Sequence, residues 1–506
     1  MKTIIPTPNN VEQTAGSFAL VEGLQVYISN DHSELLQFAE CLLKVLPKKD
    51  ADARPKVLSD CEDRVDGIVL RLVDSADADE EAYSLQVTPE RILLQAAGQA
   101  GLAYGVQSLM QMLSADFDAN GAVIRAIPCV KIEDAPRFKW RGMMLDVTRH
   151  FFHVPVVKKL IDSLHLYKIN KLHMHLNDDQ GWRLDIKKHP EFTTTAAWRD
   201  EDGNRYGGFY TQDEMAELVA YASERYITII PEIEMPGHCL ASLSAHPHLS
   251  CSGGPFKIWT GAGICEEVYC VGKEETFELL CDVIDEVVEL FPSPYIHIGG
   301  DEVPKKRWSE CECCQKRKED EGLANEEELH VYFMNRMANY LKEKSKTPVM
   351  WDDVLEGGAP KNTKVMFWRD GTDSNIKALE SGLDLIMTPT THCYFDYKQA
   401  ETDKMGQIGV VTLESAYAFN PCPDKLLGFE GKVLGGQANV WTETIFTLSE
   451  LEYMVFPRIC AIAESVWTQT ARKDWKSFVG RLQGHYTYFD RNGINARPMD
   501  GVLVGA

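Results

Sequence analysis

The chain has 506 residues, enough for more than one domain, and its 44% hydrophobic and 25% charged content is that of an ordinary globular protein with a large core. With 52 Lys and Arg against 76 Asp and Glu, the formal net charge is -24. So acidic a surface repels phosphate backbones and anionic headgroups, which argues against nucleic acid or membrane partners and leaves neutral or cationic substrates.

The N-terminus, MKTIIPTPNNVEQ, has no apolar stretch of signal-peptide length, and no run of about 18 apolar residues occurs anywhere. Fourteen cysteines are scattered without a framework spacing. They read as reduced thiols, so a cytoplasmic setting is expected, the alternative being an exported protein whose signal peptide lies outside this sequence.

Up to Pro136 the chain mixes short strand-like runs with two helical ones. GIVLRLV (67–73), YSLQVTP (83–89) and RILLQAA (91–97) alternate with polar turns. The stretch 98–114 is helical, with Leu102, Val106, Leu109, Met110 and Leu113 on one face. This predicts a small α/β domain over 1–136. Its acidic run DSADADEEA (74–82) reads as a solvated loop.

From residue 137 strand-like runs ending in polar residues mostly alternate with amphipathic helices. The strands are RGMMLDV (141–147), INKLHMHLN (169–177), ITIIPEIEM (227–235), YIHIGG (295–300), PVMWDDV (348–354), KVMFWRD (364–370), DLIMTP (384–389) and KVLGGQANVW (432–441). Helices are expected from Pro155, over 211–226, 273–290 and 326–344, and last from Ser449 to Trp467. Eight such units predict a (β/α)₈ barrel over 137–506, a TIM barrel, closed by C-terminal helices. Chemistry in such barrels sits at the C-terminal ends of the strands, where this sequence places its polar residues.

Asp301 and Glu302 stand at the end of the fourth strand, behind the glycine pair of HIGGDE (297–302). Two carboxylates there suit acid–base work. Sequence neighbours flank a sugar ring poorly, since a two-carboxylate retaining glycosidase needs groups about 5–5.5 Å apart across the scissile bond. They suit another division of labour, in which one protonates the leaving oxygen and the other steadies a nucleophile carried by the substrate, such as a 2-acetamido group. Trp351, Trp368 and Trp441 each lie near a strand end, close to Asp352, Asp370 and Glu443. They offer aromatic walls for a pyranose, with core packing the alternative for any one of them. Tyr394 and Asp396 alternate in THCYFD and point the same way if extended.

Two other chemistries compete. His173 and His175 share a face of the second strand, with Asp178, Asp179 and His238 near, so a metal-dependent barrel hydrolase is the main rival. A non-catalytic carbohydrate-binding protein would keep the aromatic walls without needing Asp301 and Glu302 together. Cys311-Glu312-Cys313-Cys314 holds a Cys-x-x-Cys step without a second pair at zinc-ribbon spacing, and reads as free thiols.

Eight ordered stretches resemble family 20 glycoside hydrolases, the β-N-acetylhexosaminidases: WRGMMLDVTRHF (140–151), HLNDDQGWR (175–183), PEIEMPGH (231–238), HIGGDE (297–302), VMWDD (349–353), FWRD (367–370), YFD (394–396) and GGQANVWTE (435–443). The resemblance spans the whole chain. It implies an exo-acting, retaining enzyme that releases β-linked N-acetylglucosamine or N-acetylgalactosamine from a glycan or oligosaccharide, with no metal and no cofactor. It further implies Glu302 as general acid and base, Asp301 as orienter of the acetamido nitrogen, and Tyr394 as donor to the acetamido oxygen. Trp351, Trp368 and Trp441 would enclose the sugar; Arg141, Asp396 and Glu443 would bind hydroxyls; Asp179, His238 and His297 would support Glu302. One departure is Glu234, where the family usually has Asp, and it puts the supporting role of His238 in question.

Overall fold

The computed structural model describes residues 3–29, 33–46, 56–58, 66–74, 79–114, 126–261, 263–358, 363–369 and 373–499. Eight parallel strands close into a barrel: β1 (Trp140–Asp146), β2 (Lys171–His175), β3 (Thr228–Glu232), β4 (Tyr295–His297), β5 (Thr347–Trp351), β6 (Lys364–Phe367), β7 (Asp384–Met387) and β8 (Val433–Val440). Each lies within one of the eight predicted runs, except that β1 and β5 start one residue earlier. β1 shows why these runs are legible. All seven of its residues are buried, because a strand in a parallel barrel meets helices outside and packed side chains inside. Within the barrel Trp140, Ile230, Val349, Trp351, Met366 and Ile386 form one apolar cluster.

The N-terminal domain is a seven-stranded sheet packed against the helix Gln99–Leu113. Four of its strands escape the sequence reading: the short Val26–Ser29 and Lys56–Leu58, and two longer ones for different reasons. Asn10–Ala19 is an edge strand whose residues are nearly all exposed, so it lacks an apolar signature, whereas Ala126–Asp134 carries Pro128. The predicted helix from Ser449 to Trp467 is two helices, Leu448–Val455 and Arg458–Trp467, divided at Pro457, which has no N–H to continue the ladder.

A polar seam joins the domains. Asp134 accepts from the Trp467 indole at 3.0 Å and the Tyr83 hydroxyl at 2.8 Å, and Lys168 lies 3.5 Å away. Burial in this seam pushes Lys168 down to about 8, against the pull of Asp134. The acidic run at 74–82 is not wholly solvated. Residues 75–78 lie outside the described ones, but Glu81 turns inward to the barrel, and Arg141 Nη2 donates to its Oε1 at 2.7 Å.

Candidate active site

All eight strands deliver side chains to one end of the barrel. There Arg149, His238, Asp301, Glu302, Trp368, Tyr394, Asp396, Trp441 and Glu443 line a cavity of about 320 Å³. Tyr397, Gln407, Ile408 and Gly409 complete its rim. A cavity of equal size lies between the N-terminal domain and the barrel helices, with mostly apolar walls and none of the candidate catalytic or sugar-binding residues.

The turn after β4 is built to bring its backbone against β3. Gly299 has φ of +61°, and a Cβ there would fall 1.9 Å from Oε1 of Glu234. The Gly300 amide donates to the same Glu234 oxygen at 2.9 Å. Glu234 therefore fills the space behind the two glycines. Burial, with Asp301 and Glu232 near, holds the Glu234 carboxyl well above the usual carboxylate range. Glu302 itself has φ of +48°, a left-handed backbone that non-glycine residues adopt at a cost and that tends to mark functional turns.

His238 gathers the carboxylates. Its Nε2 lies 3.5 Å from Glu302 Oε2 and 3.8 Å from Asp301 Oδ2, and its Nδ1 lies 3.3 Å from Asp178 and 3.6 Å from Asp179. Burial alone would discharge the ring, but Asp178 and its neighbours hold it well above the ordinary histidine value, as an imidazolium. Asp301 and Glu302 thus share one wall of the cavity. Asp301 is buried, and burial pushes its carboxyl up to about 7 despite the imidazolium, with Asp353 and Glu302 adding to the rise. Asp301 Oδ1 and Asp396 Oδ1 are buried without a hydrogen-bond partner. Unpaired buried acceptors cost free energy unless something donates to them, and the cavity is where a ligand would do so.

Tyr394 is held well above its ordinary value by burial, by Asp396 and by Asp301, so it stays a neutral donor. Trp368 stands 6.3 Å from the Tyr394 ring and donates its indole N–H to Asp353 at 2.8 Å. Trp441 lies under the Arg149 guanidinium, 5.0 Å from its centroid. Trp351 is deeper: fully buried, it donates to Glu232 at 2.8 Å and touches the wall through Trp441, ring to ring at 6.0 Å. Asp370 lies outside the described residues.

Three sequence readings change. Arg141 is not in the cavity: it sits at the start of β1, at the far end of the barrel, fully buried against Glu81 and Tyr104. The arginine at the site is Arg149, beyond the end of β1, paired with Asp178 at 2.8 Å and Asp146 at 3.1 Å and 3.8 Å from Glu443. His297 points into the barrel interior, 2.8 Å from Glu232, and its contact with the turn after β4 is through the Gly299 amide at 3.0 Å. The histidines of the metal reading serve Glu232 instead: His173 lies 3.1 Å from it, and His175 bridges it to Asp178 at 2.8 Å. Arg149 and His238 also pair with Asp178.

The family description "Glycosyl hydrolase family 20, catalytic domain" matches residues 138–470, and "Glycosyl hydrolase family 20, domain 2" matches residues 1–135. A β-hexosaminidase of Porphyromonas gingivalis is 40% identical over 97% of this chain, which spans 64% of that relative's length. A β-N-acetylhexosaminidase of Cellulomonas fimi is 31% identical over 97% of this chain and 95% of its own. Among solved structures, the β-N-acetylhexosaminidase of Bacteroides fragilis superposes with a TM-score of 0.84 at 32% identity, covering 98% of this chain and 97% of that one. An exo-β-N-acetylglucosaminidase of Vibrio harveyi, solved with N-acetylglucosamine, gives 0.85 at 31%, covering 98% and 78%. This chain belongs to glycosyl hydrolase family 20.

Proposed function

We propose that this chain is an exo-acting β-N-acetylhexosaminidase that removes terminal β-linked N-acetylglucosamine or N-acetylgalactosamine from glycans, with retention, using the substrate's 2-acetamido group as nucleophile. The observation that carries this reading is the convergence of Asp301 and Glu302 on one nitrogen of His238, with Tyr394 in the same cavity. Carboxylates on one wall cannot attack and protonate from opposite faces of a ring. Glu302, partly exposed at the cavity mouth, protonates the leaving oxygen and then takes a proton from water.

Asp301, buried and with one oxygen unpartnered, accepts the acetamido N–H. As the ring closes to an oxazolinium, positive charge appears beside Asp301. The burial that disfavours its negative charge in the empty site then strengthens the pairing. The Tyr394 hydroxyl donates to the acetamido oxygen and aligns it with the anomeric carbon. Arg149, Asp396 and Glu443 supply the polar contacts for sugar hydroxyls. Each of these steps is acid–base or positional.

The test is hydrolysis of a chromogenic β-N-acetylglucosaminide beside the corresponding glucoside. Hydrolysis of the first and negligible hydrolysis of the second is expected. Binding of both without hydrolysis would favour a carbohydrate-binding protein, and equal hydrolysis would remove the acetamido group from the mechanism.

A further inference from the structure

The Cys-x-x-Cys step at 311–314 is not isolated. Cys251 and Cys270, on the long segment between β3 and the helix Glu274–Leu290, meet Cys311 and Cys314 at the start of the helix Glu312–Asp320, in the segment after β4. Sγ of Cys270 is 3.5 Å from Cys314 and 3.7 Å from Cys311, and Sγ of Cys251 is 3.6 Å from Cys314. All four sulfurs lie within 4.8 Å of one another. Bonded sulfurs stand about 2.05 Å apart. A tetrahedral zinc ion with Zn–S bonds of about 2.3 Å sets its sulfurs about 3.8 Å apart, close to the spacing seen.

We propose that Cys251, Cys270, Cys311 and Cys314 bind one structural zinc ion, as thiolates that release their protons on binding. Four thiolates close the coordination sphere and leave no position for water, so the ion takes no part in hydrolysis. Two features fit a built site. Gly272 lies so close to the other loop that a Cβ would fall 2.2 Å from the backbone carbon of Cys313, so the two loops touch only because this residue has no side chain. Cys270 and Cys314 are buried while Cys251 and Cys311 are partly exposed, which leaves a way in for the ion.

The ion would tie together the loops that carry His238 and Glu302. Tyr269, beside Cys270, donates its amide to the Pro236 carbonyl at 3.0 Å, two residues before His238. Trp308, in the segment after Glu302, donates its indole N–H to the Tyr269 carbonyl at 2.9 Å. The four cysteines are therefore positioning residues, which set where the two loops stand relative to each other.

The experiment is elemental analysis of the full chain, purified from a reducing host cytosol and desalted, followed by titration with an organomercurial in the presence of a zinc indicator. One zinc per chain, released as the thiols are modified, is expected. Cobalt substitution should give the intense visible absorption of a tetrahedral tetrathiolate and leave kcat within about twofold. Cys251→Ser and Cys314→Ser should each abolish that absorption. If those variants fail to fold, the mercurial titration of the parent decides by itself. Zinc at less than a tenth of an equivalent with four freely reacting thiols, or peptide mapping that finds the four cysteines in disulfides, would overturn the proposal. Neither result would touch the hydrolase reading, which the glycoside assay tests separately.

Discussion

Nε2 of His238 lies 3.5 Å from Oε2 of Glu302, and the imidazolium that carries it is held in charge from behind by Asp178 and Asp179. The same ring is 3.8 Å from Asp301 and favours its ionised form. Opposite charges at such range shift a carboxyl by about one unit or more. His238→Gln should therefore move the limb of the kcat/KM–pH profile set by Asp301 to higher pH by about one unit. An unchanged profile with a uniform loss of rate would mean that His238 acts by packing alone.

Asp301 also predicts how stability depends on pH. Its folded value, about 7, stands above the unfolded value of about 3.9. Between those values the folded protein binds the extra proton, so the contribution is present below the unfolded value and is lost as pH rises through the folded one. Asp301→Asn should raise the melting temperature relative to the parent more at pH 7.5 than at pH 4.5. An equal offset at both pH values would contradict the buried, raised carboxyl.

Glu302→Gln should lower turnover by roughly 10²–10⁴-fold on a substrate with a poor leaving group, and by much less on an activated aryl glycoside that needs no proton. The partly exposed side chain predicts little change in stability. Losses of equal size on both substrates would remove the acid role from Glu302.

The two arginines of the first barrel motif should separate cleanly. Arg149→Ala should raise KM and lower kcat/KM, since Arg149 lines the cavity. Arg141→Ala should destabilise the protein by about 3–5 kcal/mol, because it leaves buried polar groups unpaired at the domain seam, among them Glu81 and Tyr104. Thermal unfolding and steady-state kinetics on both variants check this. A catalytic defect in a stably folded Arg141→Ala protein would reverse the assignment.

That pair also shows what the sequence can and cannot reveal. The barrel is legible because parallel strands buried on both faces read as apolar runs ending in polar residues, and Asp301, Tyr394 and Glu443 are found by that rule. The rule also favours Arg149 over Arg141, since only Arg149 lies past the end of its strand. The inward turn of Glu81 and the Glu232 network of buried histidines depend on which side chains face each other after closure, and no local pattern reports it. The cysteine set is hidden for the same reason. Eighteen residues separate Cys251 from Cys270 and forty separate Cys270 from Cys311, so only the meeting of two barrel loops brings the four together.

In the proposed mechanism the substrate's own acetamido oxygen attacks the anomeric carbon while Asp301 and Tyr394 hold it in place. Such positioning is worth on the order of 7–11 kcal/mol in favourable intramolecular reactions. The most direct measurement is kcat/KM across aryl glycosides whose N-acetyl methyl carries zero, one, two or three fluorines. Fluorine drains electron density from the amide oxygen and changes little else. If that oxygen is the nucleophile, kcat/KM falls steeply, by orders of magnitude from acetyl to trifluoroacetyl. If the rate is flat across the series, and a slow fluoro sugar leaves a covalent adduct on a carboxylate of the chain, the nucleophile belongs to the protein and the account fails.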